Sequence, residues 1–174
     1  MHQDADFTPL NIAILTLSDS RTFETDTSGQ LLADFAQSAG HQLAARELCK
    51  DDVYKCRAIV SAWVANAGID VVITTGGTGL TRRDSTPEAL RPLFDRDIDG
   101  FGELFRCVSF DEIGSSTVQS RAIAGLANQT LMFCLPGSTG ACHTGWNRIL
   151  AEQLDSRHKP CNFAAQTRSG AHLL

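Results

Sequence analysis

A glycine-rich segment in the middle of the chain has the residue types that bind anions. It follows an apolar run and reads VVITTGGTGLTRRDSTPEAL over residues 71–90. Glycines let backbone N–H groups converge on an anion without side-chain obstruction, and threonines add hydroxyl donors. The spacing matches neither G-x-x-x-x-G-K-[ST] nor G-x-G-x-x-G, which excludes the two common nucleotide loops. We interpret the segment as an anion cradle, with a purely structural turn as the alternative; its candidate donors are Thr75, Gly76, Gly77, Thr78 and Gly79.

A second loop, CLPGSTGA at residues 134–141, has the same design. Pro136 and Gly137 end an apolar run, and Ser138 opens a helical pattern. Free N–H groups at a helix start, together with hydroxyls, favour phosphate binding. Alone, Ser138 or Thr139 is more simply a helix cap. Combined with the first loop, the segment indicates a crevice between two strand ends.

Carboxylates follow the same predicted strands. An isolated aspartate is by default a cap or a solvated surface charge. Beside a phosphate-binding loop, however, carboxylates repel the ligand unless a cation lies between them, and Mg²⁺ suits such oxygen ligands. Arg82 and Arg83 would neutralise further phosphate charge. The candidate carboxylates are Asp19, Asp26, Asp51, Asp52 and Asp84.

Hydrophobic periodicity predicts alternating strands and helices in the first half of the chain. Thr27 and Gln30 fit a capping box at the start of the first helix, and Gly40 fits its end. Such alternation indicates a mostly parallel sheet covered by helices on both faces. The predicted strands are 10–18, 41–48 and 70–75, and the predicted helices are 27–39 and 52–67.

The second half is less regular. A short helix is predicted from Pro87, another over 101–114, and a long one over 138–155. The runs RAIAGLA and TLMFCL flank Asn128-Gln129, which predicts two antiparallel strands joined by a tight turn. The tail after residue 155 is polar, and we predict it to be irregular. With no linker or repeat, the 174 residues predict a single domain.

Composition narrows the possible partners. The net charge of −5 argues against nucleic acid, since proteins that bind it usually carry basic excess. No apolar run approaches the roughly 20 residues that cross a bilayer, and the acidic start MHQDADFTP is not typical of a signal peptide. These features predict a cytoplasmic protein. The six cysteines and five histidines are scattered, so we predict reduced core cysteines and no structural metal site.

The motifs TTGGTG, RRDSTPEAL, GFGE, SR at 120–121 and LPGS together resemble the molybdenum-cofactor biosynthesis family of MoaB and MogA proteins. The resemblance spans about residues 11–163 and looks closest to MoaB members. It implies a three-layer α/β/α sandwich with a mixed, mostly parallel sheet that binds molybdopterin. Active members of the family transfer AMP from Mg·ATP to the terminal phosphate of molybdopterin and release pyrophosphate.

The resemblance also implies roles for residues. Asp84 and Asp51 match the catalytic, Mg²⁺-binding carboxylates, with Asp52 as the alternative to Asp51. The remaining matched residues would bind molybdopterin and ATP; they are Ser18, Asp19, Asp26, Ser28, Gly29, Thr75, Gly76, Gly77, Thr78, Gly79, Thr86, Pro136, Gly137 and Ser138. Some MoaB proteins lack the catalytic aspartates and are regarded as inactive. This sequence carries both, which favours a catalyst; the alternative is a binding protein of the same pathway.

The family further implies a homotrimer or a hexamer of two trimers, and a downstream molybdate-insertion protein as a possible partner. The predicted helix at 101–114 is apolar on more than one side, which supports an oligomer, with packing of these residues into the core as the alternative. The residues concerned are Phe101, Leu104, Phe105, Val108, Phe110 and Ile113.

Overall fold

A six-stranded sheet forms the centre of the protein in the computed structural model, which describes residues 6–173. Its strand order is β2-β1-β3-β6-β5-β4. The first four strands in this order are parallel, whereas β5 is antiparallel to both of its neighbours. The strands are β1 (Asn11–Leu17), β2 (Gln42–Cys49), β3 (Val71–Thr75), β4 (Arg96–Asp97), β5 (Ile123–Ala127) and β6 (Thr130–Leu135).

Helices cover both faces of the sheet. On one face α1, α4 and α5 pack against residues such as Ile14 and Phe133, and on the other α2 and α3 pack against residues such as Leu15 and Met132. The predicted three-layer α/β/α sandwich with a mixed sheet is therefore confirmed. The helices are α1 (Thr27–Ser38), α2 (Val53–Ala65), α3 (Thr86–Leu90), α4 (Asp99–Ile113), α5 (Thr139–Gly145) and α6 (Ala151–Gln153).

The start of α1 differs from the prediction. The helix is capped by Asp26, whose carboxylate accepts the Gly29 N–H at 2.9 Å, so the proposed Thr27–Gln30 capping box is wrong. A carboxylate is a stronger acceptor than a hydroxyl, and it is further fixed by Arg46 at 2.9 Å. Gly40, with φ of +92°, ends the helix as predicted.

The predicted hairpin is confirmed. Strands β5 and β6 pair antiparallel, and the two residues between them, Asn128 and Gln129, both have positive φ. Two successive left-handed residues match the twist of a two-residue hairpin turn. The turn orients β6 parallel to β3, so the loops that follow these two strands leave the same edge of the sheet.

The predicted last helix is interrupted. Between α5 and α6 a single π-helical turn covers Trp146–Leu150, which rotates the side chains that follow. The apolar face is nevertheless the predicted one, because all five of its residues are buried. They are Cys142, Trp146, Ile149, Leu150 and Leu154.

At the end of the sheet opposite the cavity, the C-terminal tail folds back on the start of β3. The fully buried Asp70 accepts hydrogen bonds from the backbone of Asn11 at 2.9 Å and of Ser169 at 3.0 Å. The Ser169 hydroxyl donates a third at 2.7 Å, and Arg168 donates to the Ile69 carbonyl at 3.2 Å. The tail is irregular as predicted, but it satisfies a buried carboxylate of the central sheet.

Four cysteines are buried as predicted, whereas Cys107 and Cys161 are exposed. Burial raises the pKa of the Cys56 and Cys134 thiols to about 12, which leaves them protonated and inert. Within residues 6–173, none of the helices combines the length and the apolar character that a bilayer crossing requires. The interpretation of the first residues as no signal peptide concerns mainly residues 1–5, which lie outside the described chain.

Candidate functional site

A cavity of about 510 Å³ lies where β1, β3 and β6 end. Ligands of open α/β folds bind at this position. We call its two sides the strand-end wall, formed by the loops after β1, β2, β3 and β6 and the starts of α1 and α5, and the α4 wall, formed by α4, the turn after it and the Ala141 and Thr144 side chains of α5. Predicted residues lining the cavity are Ser18, Asp26, Ser28, Asp51, Thr75, Gly76, Gly77, Thr78, Gly79, Asp84, Pro136, Gly137 and Ser138.

The glycine loop, residues 76–79, is held in shape by Thr86. Its buried hydroxyl donates to the Gly76 carbonyl at 2.8 Å, and its N–H donates to the Gly77 carbonyl at 2.9 Å. Gly76 and Gly77 have φ of +105° and +65°, and a Cβ on Gly77 would overlap the Thr86 hydroxyl. Thr86, predicted to bind the ligand, does not line the cavity and instead fixes the loop.

Arg121 braces the same loop from outside. Its guanidinium donates to the Gly79 carbonyl at 2.8 Å and to the Asp84 carbonyl at 2.8 Å, and pairs with Glu88. In the sequence, Arg121 is notable only as part of the SR motif at residues 120–121, and its residue type alone does not predict this role. Its partners are backbone carbonyls, which sequence spacing does not identify.

The second loop is tied to the first through hydroxyls. Ser28 donates to the Gly137 carbonyl at 2.9 Å, and Thr75 donates to the Pro136 carbonyl at 3.0 Å. Ser138 caps α5 by accepting the Ala141 N–H at 3.2 Å. Ser138 is therefore a helix cap, as the simpler interpretation of the sequence proposed. It also lines the cavity beside the glycine loop.

Asp51 projects toward the glycine loop. A Cβ on Gly77 would lie 3.2 Å from its Oδ1. Burial raises the pKa of the Asp51 carboxyl, and the negative charges of Asp19 and Asp84 raise it further, while Arg83 opposes them. The neighbouring Asp52 instead caps α2, accepting the N–H groups of residues 54 and 55 at 2.9 Å each. Of the two alternatives for the second carboxylate, only Asp51 lines the cavity.

Asp84 closes the glycine loop from its other end. Its Oδ2 accepts the Thr81 N–H at 2.9 Å and the Thr81 hydroxyl at 2.6 Å. The hydroxyl bond lowers the pKa of the Asp84 carboxyl, so this group is ionised at neutral pH. Asp84 therefore carries a charge beside Asp51 and also shapes the loop.

Asp19 and Gly29 do not line the cavity. Asp19 lies at its rim, where Arg83 holds it through two 2.7 Å bonds that lower the pKa of its carboxyl. Gly29 lies behind Asp26, and a Cβ there would overlap the Asp26 carboxylate. Asp26 also accepts the Thr16 hydroxyl at 2.8 Å, so protein donors occupy much of its acceptor capacity. Arg82 is exposed.

The α4 wall was not predicted. It contributes an acidic side chain, several hydroxyls and apolar contacts, and its members are Phe105, Ser109, Glu112, Ile113, Ser116, Thr117, Gln119, Ser120, Ala141 and Thr144. No common motif marks these residues, because they come from one helix face, an irregular turn and α5. The dominant pattern in the sequence of α4 is apolar, and this pattern does not identify the polar residues of the helix that face a cavity.

The carboxylates fit the Mg²⁺ ion that the family implies. Asp51 and Asp84 offer hard oxygen ligands. The pKa of Asp51 is raised first by burial and then by the negative charges of Asp19 and Asp84, and a cation would offset these charges. Within residues 6–173 no group of three or more acidic, histidine or cysteine side chains could hold a metal alone. This matches Mg²⁺ sites, where one or two carboxylates share the ion with water and substrate phosphates.

The comparisons with known proteins agree with this geometry. Residues 13–156 match the family model described as a probable molybdopterin binding domain. The protein belongs to this molybdopterin-binding family. It is 58% identical over 158 residues to molybdenum cofactor biosynthesis protein B of Escherichia coli K12, covering 91% of this chain and 93% of that protein. The Bacillus subtilis protein of the same name is 43% identical over 142 residues, covering 81% and 84%.

Solved structures show the same fold. A crystal structure of molybdenum cofactor biosynthesis protein B superposes with a TM-score of 0.81 at 45% identity, covering 84% of this chain and 91% of that one. The tungsten cofactor synthesizing protein MoaB from Pyrococcus furiosus gives 0.74 at 36% identity, covering 83% and 92%. The predicted MoaB/MogA membership is confirmed.

Proposed function

We propose that the protein acts in molybdenum cofactor biosynthesis by transferring AMP from Mg·ATP to the terminal phosphate of molybdopterin, releasing pyrophosphate. One observation carries the proposal: two carboxylates and two phosphate-compatible loops meet in one cavity at the strand ends. The names of its relatives, molybdenum cofactor biosynthesis protein B, support the pathway.

Such a reaction needs no protein nucleophile. An oxygen of the molybdopterin phosphate attacks the α-phosphorus of ATP, and the bond to the β-phosphate oxygen breaks as pyrophosphate leaves. The protein must hold two mutually repelling anions in line and stabilise the charge that develops. The N–H groups of Gly77 and of the start of α5 would bind phosphate oxygens, whereas the Gly76 N–H already donates to the Leu135 carbonyl at 3.0 Å. Thr86 and Arg121 keep these donors fixed before the ligand arrives, which lowers the cost of reorganisation.

Asp51 and Asp84 would hold Mg²⁺ between themselves and the phosphates. The bound ion supplies Lewis-acid polarisation of the phosphates and neutralises their charge. Asp51 must be ionised for this role, so its raised pKa sets a lower pH limit for binding the ion. Arg83, held on Asp19 at the rim, adds positive charge on the same side.

A second candidate, molybdopterin binding without catalysis, is favoured by one observation. The Asp84 carboxylate accepts two hydrogen bonds from Thr81, so its presence could serve loop shape alone. Under this alternative the cavity would retain the pterin in an oligomeric carrier. A homotrimer or a hexamer of two trimers is proposed under either function.

Pyrophosphate release separates the two candidates. Purified protein would be incubated with molybdopterin and Mg·ATP, with reactions lacking molybdopterin or Mg²⁺ as controls. The proposal expects pyrophosphate and adenylyl-molybdopterin to form in equal amounts, only in the complete mixture. Tight molybdopterin binding without pyrophosphate would reject the transferase and support the binding protein.

A further inference from the structure

The two walls of the cavity differ in the polarity of their side chains. The strand-end wall presents N–H and hydroxyl donors for an anion, together with the paired carboxylates Asp51 and Asp84. The α4 wall presents one carboxylate, Glu112, beside the apolar side chains of Ile113 and Ala141. A ligand with a phosphate at one end and a ring at the other would place the ring against Glu112.

Glu112 is oriented by a buried hydroxyl. Thr144, only 2% exposed, donates to Glu112 Oε2 at 2.7 Å, and this bond links α4 to α5. The neighbouring Asp111 instead pairs with Arg148 at 3.5 Å. Within residues 6–173 no arginine, lysine or histidine forms an ion pair with Glu112. Its Oε1 has no side-chain partner among the hydrogen bonds of that range, so this oxygen is available to a ligand.

An ionised carboxylate only accepts hydrogen bonds, so its ligand must present donors. A pterin does so along one edge, where the N3–H and the 2-amino group lie side by side. Adenine places an acceptor, N1, beside its amino group, and N1 would face the carboxylate unfavourably. A carboxylate at this position therefore discriminates between the two rings that the proposed reaction brings together.

We propose that Glu112, positioned by Thr144, binds the N3–H and 2-amino edge of the pterin and thereby assigns the α4 wall to the pterin ring. The inference rests on the proposed function for the identity of the ligand. It goes beyond that function by naming a residue that selects the pterin over the nucleotide. Ile113 and Ala141 supply the apolar contact for the ring faces.

The test uses two stable probes and one matched pair of variants. The probes are a pterin with a phosphorylated side chain at C6 and the corresponding lumazine, in which oxygen replaces the 2-amino group. The variants are Glu112→Gln and Asp111→Asn, which remove the same charge from adjacent positions of α4. Kd values for both probes and for Mg·ATP are measured by calorimetry, with thermal unfolding as a check on folding.

We expect Glu112→Gln to weaken pterin binding roughly 10- to 100-fold, since a hydrogen bond to a charged group is lost. Wild-type protein should prefer the pterin over the lumazine, and this preference should disappear in Glu112→Gln but persist in Asp111→Asn. The Kd for Mg·ATP should not change. The wild-type comparison of probes requires no substitution, so it holds even if a variant were unstable.

Two results would overturn the assignment. One is equal wild-type affinity for the two probes; the other is a Glu112→Gln effect on Mg·ATP rather than on the pterin, which would assign the wall to adenine. Failure of the proposed transferase is a separate outcome, because it shows as absent pyrophosphate release in wild-type protein while the pterin preference remains.

Discussion

The strand-end wall and the α4 wall are built by different means. The strand-end wall consists of loops fixed by buried contacts, such as those of Thr86 to Gly76 and of Thr75 to Pro136. The α4 wall consists of side chains on a helix end, where Ile113 is 55% exposed and Glu112 relies on one hydroxyl. Preorganised donors suit the reacting phosphates, whereas side chains on a helix can change without disturbing the sheet. Under the proposed function, the loops of the sheet would fix the chemistry and α4 would select the ligand.

The largest expected effect comes from the carboxylates of the strand-end wall. We predict that Asp51→Asn and Asp84→Asn each lower adenylyl transfer by on the order of 10²-fold or more, as for loss of one preorganised electrostatic group. Molybdopterin affinity should change much less, because under the proposed function neutral donors and backbone would hold the ligand. Pyrophosphate release and direct binding measure the two quantities.

Asp52→Asn is the matched control, because asparagine is as good a helix cap as aspartate. It removes the same charge next to Asp51 but from a side chain that caps α2. Near-normal turnover in Asp52→Asn is expected. Unchanged turnover in Asp51→Asn and Asp84→Asn would show that these aspartates take no part in the reaction. The strand-end wall would then have no special role in catalysis.

Two glycines of the strand-end wall separate binding from folding. Gly77→Val should block the approach of a phosphate to the backbone, and positive φ and overlap with Thr86 add a folding cost of about 1–3 kcal/mol. Gly140 lines the cavity, and a Cβ there would meet nothing within 4 Å. Gly140→Ala should therefore weaken phosphate binding while gaining up to about 1 kcal/mol of stability as a helical residue.

Thermal unfolding and binding of the phosphorylated pterin are the measurements for both glycine variants. Gly77→Val should unfold at a lower temperature and bind less in its folded fraction. If Gly140→Ala binds as well as wild type, the start of α5 does not approach the ligand. Undiminished binding by folded Gly77→Val would make the glycine loop only a turn.

A smaller, pH-dependent effect is expected at the rim. Arg83 lowers the pKa of Asp51, so Arg83→Gln should raise that pKa and leave Asp19 unpaired. A raised pKa means that Asp51 keeps its proton to higher pH. The acid limb of the pH–rate profile should therefore shift to higher pH. Arg82→Gln removes the same charge from an exposed neighbour and should leave the limb in place. If the acid limb does not move in Arg83→Gln, ionisation of Asp51 does not control the activity.

The smallest effect on turnover is expected on the outer side of α4. Of the six apolar residues that suggested an oligomer, Phe101, Phe105 and Val108 complete the core, which the packing alternative explains. The other three are exposed, Leu104 at 45%, Phe110 at 59% and Ile113 at 55%, and Val118 in the turn after α4 is 79% exposed. We predict that Phe110→Ser weakens trimer or hexamer assembly with little loss of pterin binding. Light scattering at micromolar concentration measures this, and a monomeric wild-type mass would contradict it.

Much of the fold follows from the sequence because its signals are local. The alternation of apolar runs, Gly40 at a helix end and the turn at Asn128 each reflect neighbouring residues. The short strand β4 has two residues and both are exposed, so it leaves no hydrophobic pattern. The cap of α1 was misassigned because Asp26 gains from Arg46, which is 20 positions away.

In the candidate site, too, residues with local sequence signals were predicted and residues that depend on distant partners were not. The strand-end residues were predicted because glycines, hydroxyls and carboxylates recur together after several predicted strands, although each alone has a common structural use. Arg121 and Glu112 were missed as individual residues, because their partners, the Gly79 carbonyl and Thr144, come from distant elements. Only the assembled sheet brings these groups together, 42 and 32 positions apart in sequence.

The buried Asp70 has a consequence for the timing of synthesis. Two of its four hydrogen-bond donors belong to Ser169, 99 positions later, and the other two belong to Asn11 in β1. While the chain is still emerging from the ribosome, β1 and β3 can pair, but this carboxylate then lacks half of its partners. A buried charge without its partners is costly, so the central strands gain their full stability only after residue 169 has been translated. The protein therefore completes its fold late, although the glycine loop of its candidate site is translated well before the tail.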